Sequence, residues 1–383
     1  MRLPSVADLE LRGKRVFIRA DLNVPLAGGQ VADASRIDAS RETLDFVRSR
    51  GGRVVLASHL GRPKAAPEAK YSLAPVARHM GLPLASDCVG AEVEERVARL
   101  RDGDAILLEN LRFHAGEEKN DPAFVAKLAR LCDVYVNDAF GTAHRAHAST
   151  EGLAHACSQS AAGFLLLREV EALSRVRDQP EHPYVCILGG AKVSDKLRVL
   201  EQLARRADSI AIGGAMAYTF LLARDEPIGR SLVERDLIET ASKLLSGSTE
   251  ILLPVDHVVA SSIDDTAGAR TVDRIPDDAM ALDIGPRSRE AIAKRLASAK
   301  TVFWNGPLGL FEKPPFDAGT RAVAELLARS PAYTVVGGGD SLAAVAAAGV
   351  GARISHLSTG GGASLEFLEG SALPGVEALR RHA

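Results

Sequence analysis

The chain has 383 residues, 46% of them hydrophobic and 25% charged, and a formal net charge of −2. That length suits two or three domains with sizeable cores, and the near-neutral charge gives no general attraction to nucleic acid or an anionic membrane, so any anion must be held locally. No apolar run is long enough to span a bilayer, and the N-terminus MRLPSVADLE lacks a signal-peptide core. The four cysteines (Cys88, Cys132, Cys157, Cys186) are widely spaced without a CxxC pair, so a cytoplasmic protein with reduced cysteines is expected.

The first predicted strand is Arg15 to Ala20, running into Asp21-Leu22-Asn23-Val24-Pro25, where proline ends regular structure. A helix from Ser35 to Arg50 follows, with Arg36 in its first turn, an apolar face of Ile37, Leu44 and Val47, and Gly51 closing it. A strand at Arg53 to Ser58 ends in His59-Leu60-Gly61-Arg62-Pro63. Another at Ala105 to Leu108 ends in ENLRFH, and one at Val134 to Val136 ends in NDAFGTAHRAH. Strands separated by helical segments predict a parallel sheet, whose ligands sit beyond the carboxyl ends of the strands. Those ends carry His59, Arg62, Arg112, His144, Arg145 and His147, with Arg36 nearby. Arginine forks match carboxylate and phosphate, so the pattern points to a small polyanion. His144 and His147 make an HxxH without the glutamate of HExxH, and a metal there is not expected. His144-Arg145-Ala146 lacks the aspartate of a protein-kinase catalytic loop.

A helical pattern over Gly163 to Arg177 runs into the proline-flanked segment Asp178 to Pro183, a domain boundary in composition. Beyond it the strand ends are rich in glycine. Tyr184 to Leu188 leads into GGAKVSDK, Ser209 to Ile212 into Gly213-Gly214, and Thr301 to Trp304 into NGPLGLFE. Thr334 to Val336 leads into GGGDS and an alanine-rich helix closed by Gly349, and Ile354 to Leu357 into STGGGAS. Glycine there lets bare amides approach a ligand, and a helix N-terminus adds unpaired N–H groups and a positive dipole end. For GGGDS alone, an ordinary strand-to-helix turn with Asp340 as N-cap is an equal reading. Five such ends together predict a nucleotide-phosphate site with a flat base pocket. There is no GxxxxGK[ST], and GxGxxG fails at Leu342 and Leu365, which disfavours a P-loop and a nicotinamide site. A polyanion half and a nucleotide half together suggest group transfer.

In order along the chain, DLNVP, SHLGRP, ENLRF, VNDAFGTAHRAH, GGAKVSDK, WNGPLGLFE, GGGDS and STGGGASLE resemble the phosphoglycerate kinase family. The resemblance implies an α/β protein of two Rossmann-like domains, with parallel sheets and flanking helices, facing across a hinged cleft. It implies a phosphoglycerate-binding domain at 1–168, with 366–383 returning to it, and a nucleotide-binding domain at 169–365. The implied enzyme is a phosphotransferase acting on a carboxyl-group acceptor: a glycolytic, cytoplasmic, monomeric kinase exchanging phosphate between 1,3-bisphosphoglycerate and ADP, giving 3-phosphoglycerate and ATP with Mg²⁺. A non-catalytic nucleotide-binding sensor of the same fold is the alternative.

Carried over motif by motif, Asp21, Leu22, Asn23, Arg36, His59, Leu60, Gly61, Arg62, Arg112 and Arg145 would bind phosphoglycerate. Lys192, Lys196, Gly213, Gly214, Asn305, Glu312, Gly338, Gly339, Asp340 and Ser341 would bind nucleotide, with Glu312 on the ribose and Asp340 bringing the metal. Arg36, Lys192, Gly338 and Gly339 would be catalytic. Position 341 is serine where the family commonly has threonine, and Ala215 stands where some members have a third glycine.

Overall fold

Apolar strands that alternate with helices bury both faces of a sheet, and here two such sheets form, one in each of two compact units. The structure, a computed structural model, describes residues 3–380. The first unit comprises residues 3–171 with 372–380, the second Ala172–Ser371. The sequence-based reading set the boundary at 168/169 and the return of the chain at 366. In the structure residues up to Ser371 stay with the second unit, and 381–383 lie outside the described residues.

In the first unit, β1 (Arg15–Ala20), β2 (Arg53–Ala57), β3 (Ala105–Leu107), β4 (Val134–Asp138) and β5 (Ser160–Ala162) form a parallel sheet in the order β3-β2-β1-β4-β5. Val16, Ile18, Val54, Leu56, Val134 and Val136 share one core with Ile37, Leu44 and Val47 of α1 (Ser35–Ser49). Strand β4 runs two residues beyond the predicted Val136, because Asn137 and Asp138 are buried and bonded. Asn137 Nδ2 donates to the carbonyls of Thr150 and Gly375, and Asp138 Oδ1 accepts from the amides of Leu165 and Leu166 at the start of α2 (Phe164–Asp178). Burial pushes the Asp138 carboxyl up to about 6.

In the second unit, β6 (Tyr184–Leu188), β7 (Ser209–Ile212), β8 (Glu250–Leu252), β12 (Thr301–Asn305), β13 (Tyr333–Gly337) and β14 (His356–Ser358) are parallel, in the order β8-β7-β6-β12-β13-β14. The last strand begins later than the Ile354 predicted, because Gly351–Arg353 is wound into a 3₁₀ turn. Trp304, fully buried at the centre, donates its indole N–H to the Gly306 carbonyl at 2.8 Å. A second sheet, antiparallel and not foreseen, is made by β9 (His257–Ala260), β10 (Arg270–Val272) and β11 (Met280–Ile284) in the order β10-β9-β11. Its strands are short and two of them are partly exposed, so they carry little of the apolar run that marks a buried strand. Parallel pairing brings the ends of β7, β6, β12, β13 and β14, all followed by glycines, to one edge.

Candidate functional site

In the first unit the strand-end motifs knit into one polar network. Leu22 N–H donates to Ser58 Oγ at 2.8 Å, and Gly61 N–H donates to Asn23 Oδ1 at 2.8 Å, tying the ends of β1 and β2 together. Arg36, in the first turn of α1, donates from Nη1 to Asp21 Oδ2 at 3.0 Å and to the Asn23 carbonyl at 3.2 Å. Asn110 holds the next turn: its Nδ2 donates to the carbonyls of Leu60 and Tyr71, and its Oδ1 accepts from Arg112 N–H at 3.0 Å. Arg112 is only 4% exposed. Its Nη1 donates to the Gly61 carbonyl at 2.9 Å, and its Nε meets Glu118 Oε1 at 3.2 Å outside hydrogen-bonding geometry. Its Nη2 has no partner. A buried guanidinium with an unmet N–H costs free energy unless something accepts from it, so this side chain is built for an anion.

His59 is buried against the same charges. Burial, reinforced by Arg19, Arg112, Arg145 and Arg36, holds its imidazole well below its ordinary range, so it is neutral. Its Nδ1 lies 3.2 Å from Arg19 Nη2 and can only accept there, which leaves Nε2 to carry the proton and donate. Arg19 was not foreseen as a functional residue. It is fully buried, donates from Nε to Ser149 Oγ at 2.8 Å, and also reaches the Ala20 carbonyl. Ser149 in turn donates to buried Glu117 from both N–H and Oγ. A lone arginine inside the apolar strand RVFIRA was the signal available. Arg145 is half-buried and donates from Nε to His144 Nε2, while Arg62 is exposed, and no contact joins it to the network.

In the second unit the glycine turns are used in different ways. Gly189 and Gly306 are packing positions: a Cβ on Gly189 would lie 2.0 Å from the Pro307 carbonyl oxygen, and one on Gly306 2.2 Å from that of Gly189. Gly213 is closed off by Leu308, and Gly214 has φ +65° with Gly190 backbone 2.6 Å from a would-be Cβ. Gly338 (φ +90°) rather than Asp340 is the N-cap of α3 (Gly339–Ala347). A Cβ on Gly339 would meet nothing within 4 Å, so this helix start is open, as an anion-binding helix N-terminus requires. Asp340, in the first turn, is exposed; Ser341 is turned inward, its Oγ accepting from Gly306 N–H at 2.6 Å. Asn305 is buried beside Gly338.

Lys196 lies under these turns, donating from Nζ to the carbonyls of Gly189 at 2.5 Å and Asn305 at 2.9 Å, and burial lowers its ammonium to about 8. Lys192 is exposed on a loop held by Glu234, whose carboxylate accepts from Val193 N–H and from Ser194 N–H and Oγ. Glu234 was missed, being a glutamate without a motif.

Next to the turns opens a cavity of about 470 Å³. Tyr218, Leu232, Ile263, Met280 and Leu282 give it apolar walls, while Gly190, Gly214, Glu312 and Asp340 line its polar side. Leu232 and Ile263 are 64% and 51% exposed, large apolar side chains that a flat ring could cover. Met280 and Leu282 come from the unforeseen antiparallel sheet, and single apolar residues carry no sequence signal of a site. The exposed Asp340 carboxylate beside this open helix start is a hard oxygen donor of the kind Mg²⁺ takes.

The sequence profile described as "Phosphoglycerate kinase" matches residues 6–371. The chain belongs to the phosphoglycerate kinase family. It is 54% identical to a phosphoglycerate kinase of Solibacter usitatus, with 98% of this chain and 99% of that one aligned. It is 52% identical to one of an Anaeromyxobacter species, over 99% of this chain and 100% of the other. The fold is similar to that of the phosphoglycerate kinase of Coxiella burnetii (TM-score 0.90, 40% identity, 100% of both chains). It is also similar to that of Pyrococcus horikoshii (TM-score 0.87, 33% identity, 99% of this chain and 98% of that one).

The packing around Gly214 gives a direct test of the turn geometry. Alanine there must take a left-handed conformation and displace Gly190 backbone, so Gly214→Ala should destabilise the second unit by more than about 1 kcal/mol. Urea unfolding of the variant with an unchanged midpoint would show that the turn is not held as described.

Proposed function

We infer that the protein catalyses reversible phosphoryl transfer between 1,3-bisphosphoglycerate and ADP, giving 3-phosphoglycerate and ATP, the glycolytic reaction of its family. The observation that carries this is the family match over residues 6–371, which takes in both the arginine network and the glycine-lined pocket. The first unit binds the phosphoglycerate: Arg112 offers its unused Nη2, His59 a neutral Nε2–H, and Asp21, Leu22, Asn23, Leu60 and Gly61 shape the floor that holds Arg36. Arg62 and Arg145 add charge from the rim. The second unit binds the nucleotide. Its base lies in the apolar cavity beside the Gly213-Gly214 turn, its ribose at Glu312 and its phosphates on Gly338 and Gly339. Asn305 and Ser341 brace those turns from beneath. Asp340 would hold Mg²⁺, which when bound neutralises charge on the nucleotide phosphates. The protein works as a monomer in the cytoplasm.

A loose phosphoryl-transfer transition state spreads negative charge over the equatorial oxygens, so fixed cations matter more than a base. Lys192 and Arg36 supply that charge, the first from an exposed loop clamped by Glu234 and the second from a side chain aligned by Asp21. Lys196, bonded to two strand-end carbonyls, sets the shape and charge of the phosphate cradle.

The reaction itself is tested by a coupled assay with ATP, Mg²⁺ and 3-phosphoglycerate. ATP-dependent product is expected, and its absence with folded protein would refute the assignment, whereas ADP binding without turnover would favour the sensor. Arg112→Ala should weaken 3-phosphoglycerate by at least about tenfold while leaving ADP affinity within about twofold, because it removes the buried unpaired donor. Calorimetry finding both affinities lost alike would overturn the division of ligands between units.

Lys196 makes a pH prediction. Its folded-state value, about 8, lies below that of an unfolded lysine, so over the interval between them the unfolded chain binds more protons and this group's contribution to stability rises with pH. Bound phosphates raise the value again. Above pH 8, ADP binding should therefore take up a proton and weaken as pH increases. Calorimetry in two buffers of different ionisation enthalpy reads that uptake, and a value of zero above pH 8 would remove Lys196 from the phosphate site.

A further inference from the structure

One cluster of ligating side chains in the first unit is left unused by this chemistry. The segment after Leu84 is zipped to the end of β3: Leu84 bridges Leu107, Ala85 N–H donates to the Leu107 carbonyl at 2.8 Å, and Glu109 N–H points to the Asp87 carbonyl at 3.4 Å. That pairing sets Asp87 and Cys88 against His114, the residue after the 3₁₀ turn Leu111–Phe113. A carboxylate oxygen of Asp87, the sulfur of Cys88 and a ring nitrogen of His114 all lie within 4.8 Å of one another. His114 Nε2 is 2.7 Å from Asp87 Oδ1, and its ring stacks on Phe124 at 5.2 Å between centroids, which fixes the imidazole plane. Cys88 is fully buried, whereas Asp87 and His114 face a cavity of about 280 Å³ also lined by Ser86, Glu68 and Glu109.

We propose that Asp87, Cys88 and His114 form a binding site for a borderline-soft divalent transition-metal ion of the Zn²⁺ class. The donor set decides the class. Thiolate and imidazole suit zinc and its neighbours, while Mg²⁺ takes oxygen ligands alone. Tetrahedral zinc with bonds of about 2.0–2.3 Å sets its ligand atoms roughly 3.3–3.6 Å apart, so Asp87 and His114 would part by about 0.6 Å and the Cys88 sulfur would close on them by at most about 1.5 Å. Three protein ligands leave a fourth position on the cavity side for water. Glu109 does not fill it, because its carboxylate already accepts from Ser72 Oγ and from the amides of Leu73 and Asn110.

On binding, the Cys88 S–H bond breaks, its proton leaves to solvent and the sulfur lone pair forms the metal bond; the proton between His114 Nε2 and Asp87 Oδ1 passes to Nδ1, and Nε2 gives its lone pair. Because the thiol must give up its proton to ligate, affinity should rise with pH. Nothing in this depends on the phosphotransferase reading.

The test is a titration of the whole metal-free protein with Co²⁺, followed by optical absorption and by proton release, then displaced with Zn²⁺. One equivalent should give a thiolate-to-cobalt charge-transfer band that Zn²⁺ abolishes. Cys88→Ser should remove the band, and His114→Gln should weaken Co²⁺ by at least about tenfold, since losing even an outer partner of a ligand costs that much. A competing thiol pair exists, Cys132 and Cys157, whose sulfurs are 3.2 Å apart. Cys132→Ser should leave the band unchanged. No band, a band that survives Cys88→Ser, or one that vanishes with Cys132→Ser would overturn the proposal. Should Cys88→Ser not fold, the partly exposed positions decide, and unchanged Co²⁺ affinity in both His114→Gln and Asp87→Asn would overturn it equally.

Discussion

Buried positive charge is the constraint on which the first unit is built. Arg19 and Arg112 sit at or near zero exposure at the strand ends, and neither faces a carboxylate in full hydrogen-bonding geometry. Guanidinium desolvation is offset by dipoles: the carbonyls of Ala20 and Gly61, the hydroxyl of Ser149 and the Nδ1 lone pair of His59. Fully buried Glu117 meets Arg19 through Ser149, and burial raises its own carboxyl. Positive charge left short of partners is costly to an empty site and favourable to a polyanion. It also explains why His59 stays neutral, since four arginines and burial oppose its protonation.

The second unit offers backbone where the first offers charged side chains. Its strand ends present amides, and Lys196, largely covered, is spent on the carbonyls of Gly189 and Asn305. Glycines there divide into two kinds. Gly189, Gly214 and Gly306 let neighbouring turns touch, whereas Gly339 keeps the start of α3 open. The first kind holds the second in place, because Ser341 reaches from α3 back to Gly306 N–H. The turns beneath the helix start thus pack backbone against backbone.

Much of this was legible in the chain. The β-branched runs at Arg15–Ala20, Tyr184–Leu188 and Ser209–Ile212 form strands with those bounds, since a doubly buried parallel strand needs a short apolar run and nothing else. The glycine turns that follow the last two were legible as well. Where the reading slipped, polar residues were involved. Asn137 and Asp138 look like loop residues but remain strand because Gly375 and α2 bond them. Asp340 looks like an N-cap, but Gly338 caps the helix instead.

What the sequence determined by itself is local and chemical: which runs bury, where they end, and that arginine and lysine fall after one set of strands and glycine after another. Periodicity and backbone freedom are properties of neighbouring residues, and so they can be read without a fold. Tertiary structure alone decided which of these groups are used. Arg19 becomes part of the site only because Ser149, 130 residues away, and His59 fold over it. Leu232, Ile263 and Met280 become a cavity wall only because segments remote in sequence meet there. Burial, pairing and the proton affinities that follow from them are sums over neighbours in space, and a sequence orders neighbours only along the chain.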